Sequence, residues 1–226
     1  MMKYTVIIPA AGMGSRMNTD YNKIFIPLGE SPVIRMTVEK FEADPDCNAI
    51  YLAGRKNEID TLHEILAGCT KVRGIIEGGK ERQHSIYNVL SAIEPADYVF
   101  VHDGARPFVS KETLTHLKEA VPVHKAVICG VKPKDTLKRI DGSTVEATID
   151  RDRVVAVHTP QAFDYELLVS AYRNALENEL SVTDDSMMVE ALGVSVHVTP
   201  STYDNIKITT REDLKVAESI MNKREG

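Results

Sequence analysis

Five short runs in the first 131 residues are apolar at consecutive positions instead of alternate ones. They are Tyr4–Pro9 (YTVIIP), Asn48–Ala53 (NAIYLA), Val72–Ile76 (VRGII), Tyr98–Val101 (YVFV) and Ala126–Val131 (AVICGV). A strand patterned this way is buried on both faces, as in a parallel sheet covered by helices on each side. Helical patterns fill the gaps. Residues 31–41 open with Ser31 and Pro32 as N-cap and first helical residue, then place Val33, Ile34, Val38 and Phe41 on one face. Glu58–Leu66 and Glu81–Ile93 follow, and Ser110 is placed as the N-cap of a helix to Ala120. The alternation predicts right-handed βαβ crossovers and an α/β fold with a doubly wound, mostly parallel sheet.

The rhythm breaks after residue 131. Residues 134–157 hold an Asp-Gly turn at 141–142 between polar, β-rich flanks, which predicts a hairpin projecting from the core. An isolated two-stranded hairpin is marginal in water, so this protruding β-arm reads as a dimerisation element in preference to a floppy excursion. Helices near Tyr165–Glu177 and Asp184–Leu192, a strand at Ser195–Val198 and a last helix behind the capping-box pattern Thr210 to Asp213 complete the chain. The pattern gives one domain, residues 1–226, with an arm and no linker.

Composition narrows the ligand. A net charge of −6, with no basic stripe, argues against nucleic acid but leaves anionic small molecules open. Cys47, Cys69 and Cys129 lie far apart, so neither a zinc site nor a disulfide framework is suggested, and a reducing cytoplasm suits them. The apolar run at the N-terminus is too short for a signal peptide or a membrane span, so no membrane association is expected.

In doubly wound sheets, ligands sit at the carboxyl ends of the strands near the topological switch point. The loop after the first strand, residues 9–17, is PAAGMGSRM. Gly12 and Gly14 allow a tight turn that brings N–H groups close to phosphate oxygens, and Arg16 and Lys23 add two cations beside it. A dinucleotide fingerprint would need a third glycine where Met17 stands, which argues against a dehydrogenase. A phosphate-loop lysine motif almost forms at residues 74–81, but Glu81 replaces the hydroxyl residue that magnesium requires.

Together with that loop, GGKERQHS at 78–85 and HDGARP at 102–107 complete a recognisable set. So do Asp135-Thr136, Asp150-Arg151, Thr159–Ala162, Thr183–Asp185 and Asn205–Thr209. The chain resembles, almost end to end, the cytidylyltransferases that act on 2-C-methyl-D-erythritol 4-phosphate in non-mevalonate isoprenoid synthesis. The resemblance implies a Rossmann-like nucleotidyltransferase fold and transfer of a cytidylyl group from CTP, with release of pyrophosphate. It implies that Arg16, Lys23, Arg151 and Lys207 are catalytic, and that Ala10, Ala11, Gly12, Gly14, Gly79, Lys80 and Ser85 bind the nucleotide. Arg106, Thr136, Arg151 and Thr159 would bind the acceptor, with Thr136, Arg151 and Thr159 reaching it in a neighbouring subunit through the arm of a homodimer. Asp103, just past an apolar strand, would hold Mg²⁺ against phosphate oxygens. Family members often carry Asp where this chain has Lys80. His84 and His102 read as hydrogen-bonding or structural. A ribitol 5-phosphate cytidylyltransferase, the nearest rival, would share the CTP half, and the acceptor motifs favour methylerythritol phosphate. A nucleotide sensor without chemistry would need no such gathering of cations.

Overall fold

The computed structural model describes residues 2–12 and 22–225, without the side chains of the last two; Gly14 and Arg16 lie outside the described residues. In chain order the first half comprises β1 (Tyr4–Pro9), β2 (Pro27–Leu28), β3 (Ser31–Pro32), α1 (Val33–Glu42), β4 (Cys47–Gly54), α2 (Ile59–Ile65), β5 (Val72–Glu77), α3 (Arg82–Ala92) and β6 (Tyr98–Val101). The second half comprises α4 (Lys111–His124), β7 (Ala126–Val131), β8 (Lys138–Asp141), β9 (Thr144–Thr148), β10 (Ala156–Asp164), α5 (Tyr165–Glu177), α6 (Asp185–Glu190), β11 (His197–Pro200) and α7 (Arg211–Glu225). Seven strands form one sheet in the order β11-β7-β10-β6-β1-β4-β5. All its pairings are parallel except those of β10, which runs antiparallel to both β6 and β7.

Strand alternation sorts the core into two layers. Tyr4, Val6 and Ile8 of β1 pack with Ile34, Val38 and Phe41 of α1 and Leu114, Leu117 and Val121 of α4. Ile7, between them, faces the opposite layer with Ile86 and Val89 of α3 and Leu168 and Tyr172 of α5. This is why β1 is apolar without a break. A third cluster packs Ala217 and Ile220 of α7 against Leu28 and Phe108.

The five apolar runs are all strands of the sheet. Some boundaries move. Ser31 and Pro32 pair with the Pro27–Leu28 strand, so α1 begins at Val33 without a side-chain cap. Ser110 does cap α4, whose helix runs past Pro122 to His124 and stops where Lys125 turns left-handed. The final strand is β11, two residues later than its pattern placed it. The capping box is reciprocal: Asp213 accepts from the Thr210 N–H at 2.8 Å, and its own N–H donates to the Thr210 hydroxyl at 3.3 Å.

The arm is a separate two-stranded ribbon of β8 and β9, and its two-residue turn is Gly142 and Ser143, one position later than Asp-Gly. Gly142 has φ of +55°, which glycine adopts without steric cost. The ribbon is also shorter than 134–157, because residues 156–157 already belong to β10. That strand is not visible in the pattern. It carries His158, Thr159, Pro160 and Gln161, unlike a buried strand, and its polar side chains find partners instead of solvent. Gln161, for example, donates to Asp184 at 2.8 Å and accepts from the Ser186 N–H at 3.0 Å. Pro160 falls where the β10–β7 register breaks, so its missing N–H costs no ladder bond. Among the described residues, no helix is long and apolar enough to cross a membrane.

Candidate active site

Strand order reverses at β1: β4 and β5 extend the sheet to one side, and β6 lies on the other. The carboxyl ends of β1, β5 and β6 therefore surround a cavity of about 420 Å³. Its walls include Ala10, Ala11, Gly12, Lys23, Gly79, Lys80, Ser85, Asp103 and Lys207, together with Asn22 and Arg82. Segments nearly 200 residues apart in the chain converge here.

The turn after β5 is built for close approach. A Cβ on Gly79 would stand 2.4 Å from the Cβ of His84, and one on Gly78 would stand 2.7 Å from that of Ala11. Buried Ser85 closes the turn: its hydroxyl accepts from the Gly79 N–H at 3.0 Å and donates to the Glu81 carbonyl at 3.0 Å. Lys80 stands exposed at the tip of this turn.

Asp103 is the electrostatic centre of the cavity. Lys207 Nζ lies 2.7 Å from Oδ2, Arg82 Nε 3.5 Å from Oδ1, and Arg106 Nε 3.8 Å from Oδ2. Burial alone would disfavour its charge, but Arg82 and Lys207, with Arg106 behind them, hold the carboxyl well below the usual carboxylate range. Its backbone is held as well, since the Asp103 N–H donates to the Thr159 hydroxyl at 3.0 Å. His102 Nε2 faces the Arg106 carbonyl at 3.0 Å and must donate to it. Burial pushes the imidazole down to about 4, so the ring is neutral and Nδ1 is an acceptor for the Thr159 hydroxyl at 3.2 Å.

Arg82 is the main residue that pattern reading did not single out. Its Nη1 and Nη2 donate to the two carboxylate oxygens of Asp185 at 2.9 and 2.7 Å. Burial opposes the guanidinium charge, but Asp185 and Asp103 more than restore it. Tyr172 also donates to Asp185, and its phenol is pushed well above its ordinary value by burial and that carboxylate. Arg82 sits inside the motif at 78–85, and only the distant Asp185 reveals what it does.

The acceptor-side residues are not gathered into this cavity. Thr136 and Arg151 are exposed near the root of the arm, where Arg151 Nη1 lies 3.5 Å from the Lys134 carbonyl. Arg106 is half-buried behind Asp103 and donates to the Asn205 carbonyl at 2.6 Å. Thr159 is placed in the central sheet and not in the arm; it is buried against its own subunit's Asp103, so a reach into a neighbouring subunit does not hold for this residue.

A divalent cation can be tested against this donor set. The described residues contain no group of three His, Cys, Asp or Glu side chains arranged for a metal. Asp103 is one ionised carboxylate, open to the cavity. That suits Mg²⁺, which is commonly held by one or two carboxylates plus substrate phosphates and water.

A profile of the family described as "IspD: 2-C-methyl-D-erythritol 4-phosphate cytidylyltransferase" matches residues 4–223. The protein of that name from Lysinibacillus sphaericus is 41% identical over 225 residues, 99% of this chain and 97% of its own length. The one from Geobacillus thermodenitrificans is 43% identical over 225 residues, covering 99% of each. The crystal structure of 4-diphosphocytidyl-2C-methyl-D-erythritol synthase from Anaerococcus prevotii aligns with a TM-score of 0.86 at 34% identity, over 98% of this chain and 99% of that one.

Proposed function

Since the chain belongs to the 2-C-methyl-D-erythritol 4-phosphate cytidylyltransferase family, we propose that its cavity is where CTP meets that polyol phosphate. The enzyme transfers a cytidylyl group from CTP to 2-C-methyl-D-erythritol 4-phosphate and releases pyrophosphate. The observation that carries the site assignment is the convergence of Ala10–Gly12, Lys23, Gly79–Arg82, Ser85, Asp103 and Lys207 on one cavity.

The reaction brings two anions together. An oxygen of the acceptor phosphate forms a bond to the α-phosphorus of CTP as the bond from that phosphorus to the bridging oxygen breaks, and pyrophosphate leaves with the electron pair. Negative charge gathers at the five-coordinate centre, so catalysis is positioning plus fixed cations. Lys23 and Lys207, with Arg16 from outside the described residues, are assigned to that charge. The backbone of residues 10–12 and 79–80 and the Ser85 turn are assigned to the nucleotide, as is Gly14 from outside the described residues. Arg106, Thr136, Arg151 and Thr159 belong to the acceptor side. For Arg106 and Thr159 this means holding Asp103 and its surroundings. Asp103 would hold Mg²⁺, which supplies Lewis-acid neutralisation of phosphate charge when bound.

The single domain acts as a homodimer in this reading. Support comes from the arm, where Ile140 and Val145 sit opposite each other with 61% and 56% of their surface exposed. A paired apolar patch on an otherwise polar ribbon suits burial against a second copy. The three cysteines carry free thiols, which fits a cytoplasmic location.

Pyrophosphate release from CTP, measured with Mg²⁺ and then with excess chelator, tests the reading. Rapid release with 2-C-methyl-D-erythritol 4-phosphate, at least tenfold slower release with ribitol 5-phosphate and none with chelator is expected. The reverse order of acceptors would overturn the assignment.

A further inference from the structure

Outside the Asp103 cluster, one buried carboxylate stands beside the cavity with no role in the reaction described above. Glu58, between β4 and α2, is 8% exposed and lies against the entry to the glycine-rich segment. Asn22 Nδ2 donates to Glu58 Oε2 at 3.0 Å, and Arg55 Nη1 lies 3.3 Å from Oε1. The same two partners each take hold of a backbone carbonyl. Asn22 Nδ2 donates to the Ala10 carbonyl at 2.7 Å, and Arg55 Nε donates to the Ala11 carbonyl at 3.0 Å.

We propose that Glu58, Asn22 and Arg55 form a clamp that positions the nucleotide half of the cavity, so that Asn22 and Arg55 act as positioning residues for CTP. The inference rests on the reading that CTP occupies this cavity. Two consequences of the geometry carry it. First, a trans peptide unit points its carbonyl and its N–H in opposite directions. Holding the carbonyls of Ala10 and Ala11 therefore fixes where the N–H groups of Ala11 and Gly12 aim, and both residues line the cavity. Successive backbone N–H groups held in one direction make a site for an anion. Second, Asn22 is the far end of the same segment and the residue before Lys23. Its side chain accepts from the Ile24 N–H, capping the short turn Lys23–Phe25. One carboxylate thus ties the start of the segment, its end and the backbone of Lys23 into one frame.

Strand pairing does not require this network. The register of β1 with β4 extends to Pro9 and Ala53, and the Ala10 N–H already donates to the Ala53 carbonyl at 2.8 Å.

Steady-state kinetics of the full-length enzyme separate positioning from folding. Arg55→Ala is expected to lower kcat/KM for CTP by on the order of 10- to 100-fold, with the KM for the polyol phosphate at saturating CTP unchanged within about twofold. Asn22→Ala should do the same. The double variant should lose little more than the worse single one, because both act through Glu58. Arg55→Lys should recover part of the loss. Unfolding midpoints accompany each variant; if buried Asn22→Ala does not fold, Arg55→Ala, at a partly exposed side chain, decides the matter. Unchanged CTP kinetics in Arg55→Ala beside an active wild type would overturn the clamp alone. So would equal losses for both substrates that follow the fall in midpoint. A wild type that does not use CTP would overturn the underlying reading and the clamp with it.

Discussion

Lys207 and Asp103 illustrate how much a single contact can decide. The ammonium lies 2.7 Å from a carboxylate already flanked by Arg82 and Arg106, so the cavity holds more positive than negative charge near that point. A preorganised cation of this kind is worth about 3–4 kcal/mol in the barrier. Lys207→Ala should therefore lower kcat by 10²- to 10³-fold, read by pyrophosphate release, with little change in the unfolding midpoint. A fall of less than threefold would remove Lys207 from the catalytic set. Two histidines make a different statement. Burial, with Arg106 adding to it at His158, pushes both His102 and His158 from an ordinary value of 6.5 down to about 4. In the interval between those values the unfolded chain binds protons that the folded one refuses. Stability is therefore full above about pH 6.5, declines as the pH falls towards about 4, and gains no further loss from these rings below that. Urea midpoints at neutral pH and near pH 4.5 should show the decline, and His158→Gln should make it shallower. Equal slopes in wild type and variant would exclude His158 as a source.

At the scale of elements, the β8–β9 arm stands apart. It forms its own two-stranded sheet, and all of its strand residues except Ala147 are exposed. A ribbon so built gains nothing from its own subunit that would explain Ile140 and Val145 facing outward together. Replacing both with lysine puts two charges into a surface that a second copy would desolvate. Sedimentation is then expected to give a dimer for the wild type and a monomer for the variant. CTP affinity should persist, since the walls proposed for the nucleotide follow β1 and β5, away from the arm. Loss of the dimer without any change in acceptor turnover would separate the arm from the acceptor site.

For the molecule as a whole, one ion pair joins what the sequence keeps a hundred residues apart. Arg82 on α3 and Asp185 on α6 meet in a two-bonded pair over the layer that holds Tyr172. Asp185→Ala removes a fully buried carboxylate and leaves the half-buried Arg82 guanidinium with Asp103 alone, so the cost should fall below the roughly 3–5 kcal/mol of a fully buried pair. The loss should appear in the urea midpoint together with a fall in activity, because Arg82 also braces Asp103. A midpoint unchanged within error would mean that Asp103 alone satisfies Arg82. The sheet itself was legible in the sequence. Burial on two faces leaves few polar positions in β1, β6 and β7. β4 and the edge strand β5 are more open, with Asn48 and Arg73 exposed, yet keep enough apolar positions to be read as strands. Short-range caps at Ser110 and Thr210 do the same for helices. The turn motifs marked the walls of the cavity, because glycine is required where backbones nearly touch, as at Gly79. What stayed hidden depends on partners far along the chain. β10 looks polar until Gln161 meets Asp184 and Thr159 meets Asp103. Glu58 resembles any first-turn acid of a helix until Asn22 and Arg55 close around it. Periodicity registers which side faces the core, a local property. Which charges face one another is decided only when the strands take their order in the sheet.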